Sequence, residues 1–263
     1  MGRKIIDRIL IAILLLFLLI PLLGTILYSF SSEWTFTVLP KALTFDWYKE
    51  LFTDQNFVNA MLRTVFLAFV GTLGSMILVV PTVFLLYVYY PKYLWILDIL
   101  VLLSFSVPAI ISAMSLMSAY SSSGIPMLIF VIGSYIVGGL PMIQIGTRNS
   151  LKAINARTLM ESSEILGASK TKSFFKVILP NITSGIIASS LFRFATLFGE
   201  FGILNLLVGG SFSNIQMFLR QNMNRNGYYT SAIVVSYFVI VTIMTLIGLN
   251  LSDKVTRKKG EIE

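Results

Sequence analysis

Long uninterrupted apolar runs constrain the fold of this chain more than any other feature. Of its 263 residues, 56% are hydrophobic and 12% are charged, and soluble domains carry about twice that charged share. Because about 20 apolar residues in a helix cross the ~30 Å hydrocarbon layer of a bilayer, the runs predict membrane-spanning segments. Backbone N–H and C=O groups find no water at that depth, so each run must be helical.

Six runs of this kind predict an all-α, polytopic membrane protein with six transmembrane helices, forming one transmembrane domain over residues 1–263. The predicted segments are 9–30, 63–89, 97–120, 126–147, 183–207 and 228–251. The third contains Pro108 and many serines, so we expect it to pack against other helices rather than face lipid. Basic residues precede the first segment, as in a secretory signal. No small-x-small cleavage site follows it, and we interpret it as a retained helix.

The lysines and arginines predict the orientation of the bundle. With six crossings, both termini lie on one side of the membrane. Fourteen cations flank that side: Arg3, Lys4, Arg8, Lys92, Arg148, Lys152, Arg157, Lys170, Lys172, Lys176, Lys254, Arg257, Lys258 and Lys259. Five flank the other: Lys41, Lys49, Arg63, Arg220 and Arg225. Since cytoplasmic loops carry the Lys and Arg excess, we expect both termini in the cytoplasm.

The two larger external segments have different compositions. Segment 31–62 mixes charged and aromatic residues and is amphipathic enough to lie along the interface. Segment 208–227 is polar and rich in glycine and asparagine, and we predict a solvated loop there.

Several chemistries are excluded or disfavoured by composition. The chain has no cysteine and no histidine, which excludes disulfides, thiol catalysis and the common zinc and haem sites. The formal net charge of +8 is explained by membrane orientation, so we expect lipid contacts and no nucleic acid. No G-x-x-x-x-G-K-[ST] phosphate loop occurs. We therefore expect no enzymatic activity, cofactor or metal on this chain, and any ATP and Mg²⁺ on a partner.

The longest cytoplasmic segment, 148–180, has the pattern of a helical hairpin. Helical spacing places Leu159, Ile165 and Leu166 apart from two glutamates, and Gly167 follows as a C-cap glycine would. A second short helix with Phe174 and further apolar residues is expected to end at Pro180. Loops this long within a compact bundle are usually functional.

This segment resembles the signature loop, often called the EAA loop, of the inner-membrane permeases of type I binding-protein-dependent ABC importers. That pattern reads Glu-Ala-Ala, three positions, Gly, about nine positions, then Ile-x-Leu-Pro. Here Glu161-Ser162-Ser163 stands for Glu-Ala-Ala, Gly167 holds the glycine position, and 177–180 closes the pattern. The Ser-Ser pair departs from the pattern, but serine is as small as alanine. The motif covers about twenty residues, while the six-helix layout covers the chain.

The resemblance implies a permease subunit whose coupling helix, between helices four and five, seats on a cytoplasmic ATPase dimer. ATP binding would close that dimer, and two permease subunits, identical or related, would then switch between inward- and outward-facing states. An extracytoplasmic binding protein would deliver the cargo. The coupling residues it implies are Glu161, Ser162, Ser163, Glu164, Leu166, Gly167, Ala168, Ser169 and Pro180.

Arg193 and Glu200 fall within the fifth predicted segment, where charge is costly and marks a candidate functional site. Seven residues are nearly two helical turns, so the two should share a face about 10 Å apart, and each should have another partner or line a watery cavity. Gly199-Glu200-Phe201-Gly202 resembles permeases for oxyanions, ferric iron, thiamine and phosphonates, which implies a small, charged cargo, polyamines included. The two glycines could equally allow close helix packing. The remaining pathway candidates are small or polar: Ser112, Ser115 and Gln144.

Two other classes of protein stay open at this point. A secondary carrier or channel, independent of any ATPase, would need ion sites in broken helices and gives no reason for the hairpin. A membrane-embedded enzyme or scaffold is also possible, although no carboxylate pair suggests catalysis. For the hairpin itself, a basic loop that only satisfies the positive-inside bias is the simpler alternative.

Overall fold

Helices form nearly all of the regular structure in the described part of the chain. The computed structural model describes residues 2–35 and 37–260, with side chains for 6–35 and 37–250. The α-helices there are α1 Gly2–Ser29, α2 Asp46–Thr53, α3 Gln55–Val88, α4 Leu94–Ser106, α5 Ala109–Tyr120, α6 Met127–Val137, α7 Leu140–Ala153, α8 Ala156–Ile165, α9 Lys170–Ser173, α10 Leu179–Phe198, α11 Gly202–Leu207, α12 Ile215–Asn222 and α13 Gly227–Gly260. The all-α, polytopic prediction is confirmed.

Five helical segments of the described chain are long and apolar enough to cross a membrane: Ile6–Ser29, Gln55–Val88, Met127–Ala153, Lys170–Phe198 and Gly227–Asn250. The third predicted segment is instead the pair α4 and α5, which meet at 91° and make a sixth crossing only if taken together. The bend falls at Pro108, which lacks an N–H and disfavours a helical residue before it. Val107 is accordingly extended, with a ψ of 114°.

The centre of the bundle is formed by α3, α7 and α10, which pack on one another more extensively than any other three helices. Glycines permit the closest approach between α7 and α10. A Cβ on Gly146 would lie 2.5 Å from the Cβ of Ser189, and a Cβ on Gly185 would overlap the Ser150 hydroxyl. Close approach at small residues is how membrane helices gain packing energy without a hydrophobic driving force between them.

The bundle has two buried clusters, one at each end of α3. The first contains Leu51 of α2, Phe57 of α3 and Ile215 of α12. The second contains Phe84 of α3 and Met160 of α8. We call the end with the second cluster the hairpin end, because α8 and α9 lie there. The 34 residues of α3 span about 51 Å at 1.5 Å per residue, so the two ends lie on opposite sides of a bilayer.

Segment 208–227 is not the solvated loop that its composition predicted, because α12 docks on the bundle within it. The side chain of Asn214 caps this helix by accepting from Met217 N at 3.0 Å. Ile215 N donates to the hydroxyl of Thr64 at 2.9 Å. Ile215, Met217 and Phe218 are buried. Three apolar residues within one short helix bury enough surface to order a segment whose flanks are polar.

The fifth predicted segment, 183–207, begins earlier in the structure. α9, a π-helical turn at Phe174–Ile178 and α10 form one continuous helix, Lys170–Phe198. Pro180 lies inside this helix, so the expectation that it ends the hairpin is wrong. The π turn ends two residues before the proline, and such turns occur where the regular i to i−4 ladder is interrupted.

Candidate coupling hairpin and intramembrane charge network

Gly167 ends α8 in the geometry of a Schellman motif. Its φ is +83°, a conformation that glycine adopts without the penalty of a Cβ. Gly167 N donates to Glu164 O at 2.9 Å, and Ala168 N donates to Ser163 O at 3.0 Å. Ser169 then caps α9 by accepting from Lys172 N. The interpretation of Gly167 as a C-cap glycine is confirmed, and the chain forms a helix–turn–helix hairpin.

Buried side chains hold the hairpin against the end of α3. Ala156 and Met160 of α8 and Ile178 of the π turn are buried in the cluster that contains Phe84. The rings of Phe84 and Phe174 lie 4.4 Å apart between centres. Aromatic pairs at this spacing contribute about 0.5–1.5 kcal/mol beyond their burial. The hairpin is therefore packed on the bundle along one face and is not a free loop.

Two tyrosines at the end of α3 add polar contacts to the hairpin. Tyr89 donates from its hydroxyl to Glu164 Oε1 at 3.0 Å, and its ring lies 4.7 Å from Lys170 Nζ. Arg157 Nε donates to the carbonyl of Tyr87 at 2.9 Å. Burial, together with the neighbouring Glu164 carboxylate, raises the pKa of Tyr89 from 10.0 to about 12. The phenol therefore stays protonated near neutral pH and remains a donor.

The serine pair that departs from the family pattern has a structural use. Ser163 is buried, and its hydroxyl donates to Ser173 Oγ at 2.7 Å, which joins α8 to α9. Ser162 is exposed, and its hydroxyl donates to Thr158 O of its own helix at 2.8 Å. An alanine at 163 would leave the buried Ser173 hydroxyl without this partner. The sequence shows Ser163 and Ser173 as two small polar residues ten positions apart. Their hydrogen bond could not be predicted from this spacing, because it depends on the geometry of the turn at Gly167.

The tip of the hairpin presents apolar side chains away from the bundle. Ile165 and Leu166 are 85% and 87% exposed, and Glu161 is exposed beside them. Sequence spacing separated these apolar residues from the two glutamates, but the structure turns Glu164 inward to Tyr89. The hairpin therefore contributes two large apolar side chains, and not a uniformly charged face, to its surroundings.

A charge network connects α6, α10 and α11 inside the bundle. Arg193 Nη2 donates to the backbone carbonyl of Tyr135 at 2.7 Å. The hydroxyl of Tyr135 donates to Glu200 Oε2. Arg193 reaches the carbonyl past Gly138, where a Cβ would lie 2.9 Å from Nη2. The expectation that each charge has another partner is confirmed, and Tyr135, which sequence reasoning missed, is the partner of both.

The prediction that Glu200 lies within a helix is wrong. Glu200 lies in the break between α10 and α11. Its Oε1 accepts from Ile203 N at 2.6 Å, and its Oε2 accepts from Leu204 N at 3.4 Å. The carboxylate therefore caps α11, and negative charge is favourable at a helix N-terminus. Asn214 Nδ2 donates to the Glu200 carbonyl at 2.7 Å, which ties α12 to the same break. α10 ends at Phe198, two residues before Glu200, so the predicted helix face shared by Arg193 and Glu200 does not extend to Glu200.

Gly199 and Gly202 do not provide the close helix packing considered as an alternative. A Cβ on Gly199 would meet only a carbonyl of its own helix, at 3.6 Å. At Gly202 the nearest atoms would lie 3.8 and 3.9 Å away, which is ordinary contact. Both glycines instead flank the break, where the backbone must leave α10 and start α11.

The other pathway candidates lie on two different elements. Ser112, half-buried, and Ser115, exposed, are on α5. Gln144 of α7 is 2% exposed and borders a cavity of about 400 Å³. The same cavity is lined by Asp98 and Arg148, whose ion pair measures 2.5 Å. Sequence reasoning missed Asp98, although an acidic residue in an apolar segment was a usable signal.

Comparison with known proteins defines the class to which this fold and hairpin belong. Residues 84–257 match the family described as "binding-protein-dependent transport system inner membrane component", and the chain belongs to that family. The match includes the hairpin, the charge network and the last spanning helix. The chain is thus a multi-pass protein of the bacterial inner-membrane permease type.

Particular similar proteins cover between 75% and 99% of this chain. The spermidine/putrescine transport system permease protein PotB of Haemophilus influenzae is 24% identical over 99% of this chain and 97% of its own. The sulfate transport system permease protein CysT of Escherichia coli is 22% identical over 89% and 86%. A bacterial ABC transporter that imports alginate gives a TM-score of 0.70 at 18% identity over 93% and 94%. The methionine transporter MetNI gives a TM-score of 0.64 at 22% identity over 75% and 95%.

Proposed function

We propose that this chain is one permease subunit of an ATP-binding-cassette importer, and that the α8–Gly167–α9 hairpin docks on a separate ATPase. The observation that supports this most directly is the exposed pair Ile165 and Leu166. Large apolar side chains exposed together mark interaction surfaces. They sit on a turn whose other face is packed on α3, so a partner that covers them also contacts a fixed part of the bundle.

Force applied to the hairpin has a direct route to the centre of the bundle. α9 continues without a loop through the π turn into α10. α10 carries Arg193 and ends beside Glu200. In this proposal ATP and Mg²⁺ bind to the partner ATPase dimer, the hairpin moves with it, and this chain and a second permease subunit switch their access. An extracytoplasmic binding protein supplies the cargo.

We infer a small, charged solute as cargo, within the oxyanion, phosphonate, ferric iron, thiamine or polyamine classes. The relatives named for spermidine/putrescine and for sulfate support this range. We assign Glu200 to shaping the route and not to binding the solute, because its carboxylate already accepts from Tyr135, Ile203 and Leu204. A secondary carrier would use the N–H groups at a broken helix for its substrate, whereas here Glu200 takes two of them.

The docking proposal is tested by the double variant Ile165→Asp/Leu166→Asp in the assembled transporter. We expect the ATPase to be lost on co-purification, because two carboxylates replace the apolar contact. Val38→Asp is the matched control, since Val38 is apolar, 93% exposed and at the opposite end. The proposal fails if the double variant keeps the ATPase at the wild-type ratio. Solute uptake by the purified chain alone, without nucleotide, would favour the secondary carrier.

A further inference from the structure

A second cavity lies between the end of α3 and the start of the Lys170–Phe198 helix. Its volume is about 580 Å³, within the range of about 300–1,000 Å³ typical of small-molecule sites. Its walls include Phe84 and Leu85 of α3 and Phe175 of the π turn, and Lys170 and Tyr90 lie at its polar side. It is separate from the exposed tip of the hairpin and from the Arg193–Tyr135–Glu200 network.

The polarity of the cavity wall changes along the direction that leaves the bilayer. Phe84 and Leu85 belong to the spanning part of α3, and Tyr90 lies two residues beyond its end at Val88. Tyrosines are enriched at the membrane–water boundary, where the ring is buried and the hydroxyl is wet. Lys170 adds a cation to the polar side of the cavity wall. An apolar wall that ends in a hydroxyl and an ammonium matches an amphiphile with an anionic head.

The ammonium of Lys170 is available to such a head group. Nζ lies 4.7 Å from the centre of the Tyr89 ring. Among the described side chains there are three ion pairs, and Lys170 belongs to none of them. The Glu164 carboxylate, which lies on the same hairpin, accepts a hydrogen bond from Tyr89. A lysine ammonium has three donors and no acceptor, so a phosphate oxygen is a suitable partner.

Two side chains of the wall are open to the surroundings. Leu85 and Phe175 are both exposed, although they line the cavity. Both belong to helices that are long and apolar enough to cross a membrane, so in a bilayer we expect acyl chains to contact them. A free phosphate would contact Lys170 but leave this apolar wall unused, whereas a phospholipid would use both.

We propose that this cavity binds one anionic phospholipid from the leaflet at the hairpin end, with its phosphate at Lys170 and an acyl chain along Phe84, Leu85 and Phe175. The site joins α3 to the start of the Lys170–Phe198 helix, so a bound lipid would bridge the two. The inference does not depend on the docking proposal, because its readout is lipid binding and not ATPase binding.

The test compares lipid binding by the full chain in its purified transporter, after delipidation in detergent. Phosphatidylglycerol and phosphatidylethanolamine are titrated separately, and bound lipid is counted by native mass spectrometry. The variants are Lys170→Gln and, as a matched control, Lys172→Gln. Both remove one exposed lysine from the same hairpin, but only Lys170 lines the cavity. Phe175→Ser removes part of the apolar wall.

We expect the wild type to bind one phosphatidylglycerol in preference to phosphatidylethanolamine. Lys170→Gln should weaken phosphatidylglycerol binding by about fivefold, since one cation near a membrane surface contributes about that factor. Lys172→Gln should leave it unchanged, and Phe175→Ser should weaken both lipids. Equal losses in the two lysine variants would overturn the proposal in favour of general surface charge. Full competition by inorganic phosphate would assign the site to a free anion instead.

Discussion

Replacing Gly167 by alanine isolates the contribution of the turn to the hairpin. Gly167 has a φ of +83°, and a Cβ there would meet no atom within 4 Å. The substitution therefore adds backbone strain without a clash, about 1–2 kcal/mol for an L-residue in the left-handed region. That energy weakens the two hydrogen bonds that Gly167 N and Ala168 N donate to Glu164 and Ser163.

Hydrogen exchange of these two amides measures the effect. A local loss of 1–2 kcal/mol should speed their exchange about 5- to 30-fold. Gly124→Ala is the matched control, because Gly124 has a φ of +75° and equally open space but lies outside the hairpin. Gly167→Asn should fall between glycine and alanine, since asparagine tolerates this conformation better. Unchanged exchange in Gly167→Ala, or an asparagine variant as fast as alanine, would refute the reasoning.

Three further substitutions test other contacts in the bundle. Ser163→Ala should destabilise the hairpin by about 1 kcal/mol, because Ser173 keeps a buried unpaired hydroxyl, whereas the double alanine variant should recover most of the loss in a denaturation cycle. The pKa of Tyr89 is raised from 10.0 to about 12. The hydrogen bond from Tyr89 to Glu164 should therefore stabilise the hairpin fully below pH 10, and this stabilisation should be lost as the pH rises towards 12. Hairpin amide exchange against pH should show this loss in the wild type and not in Tyr89→Phe. Gly185→Ala should lower the thermal midpoint of the purified protein, because its Cβ would overlap a serine of α7; an unchanged midpoint would contradict this packing.

The hairpin could be predicted from sequence because its signals are local. Glycine at a helix end, a serine that can cap, and apolar residues at helical spacing all act over a few residues. The sequence alone does not indicate which residues of the hairpin face outward. Ile165 and Leu166 are exposed because Met160 and Ala156 already fill the contact with α3, and that contact depends on residues about 75 positions earlier.

The break at Glu200 shows why the prediction of one helix over 183–207 is wrong. No proline interrupts 183–207 and most of its residues are apolar, so the pattern predicts one helix in spite of Arg193 and Glu200. Beyond the end of α10, Glu200 accepts hydrogen bonds from the Tyr135 hydroxyl and the Asn214 amide. These partners come from α6 and from beyond α11, and sequence spacing carries no information on their proximity. Similarly, Pro108 indicates in the sequence where the bend between α4 and α5 lies, but it does not predict the angle of 91°.

The absence of a hinge between α9 and α10 has a mechanical consequence. A helix of 29 residues is about 44 Å long and behaves as one stiff lever across the membrane. Rotation of this helix by a few degrees about its hairpin end displaces its opposite end by several ångströms in a single rigid-body movement. The softer points of this helix are the π turn and Pro180, which lacks an N–H, so compliance between the two membrane surfaces is concentrated at residues 174–180.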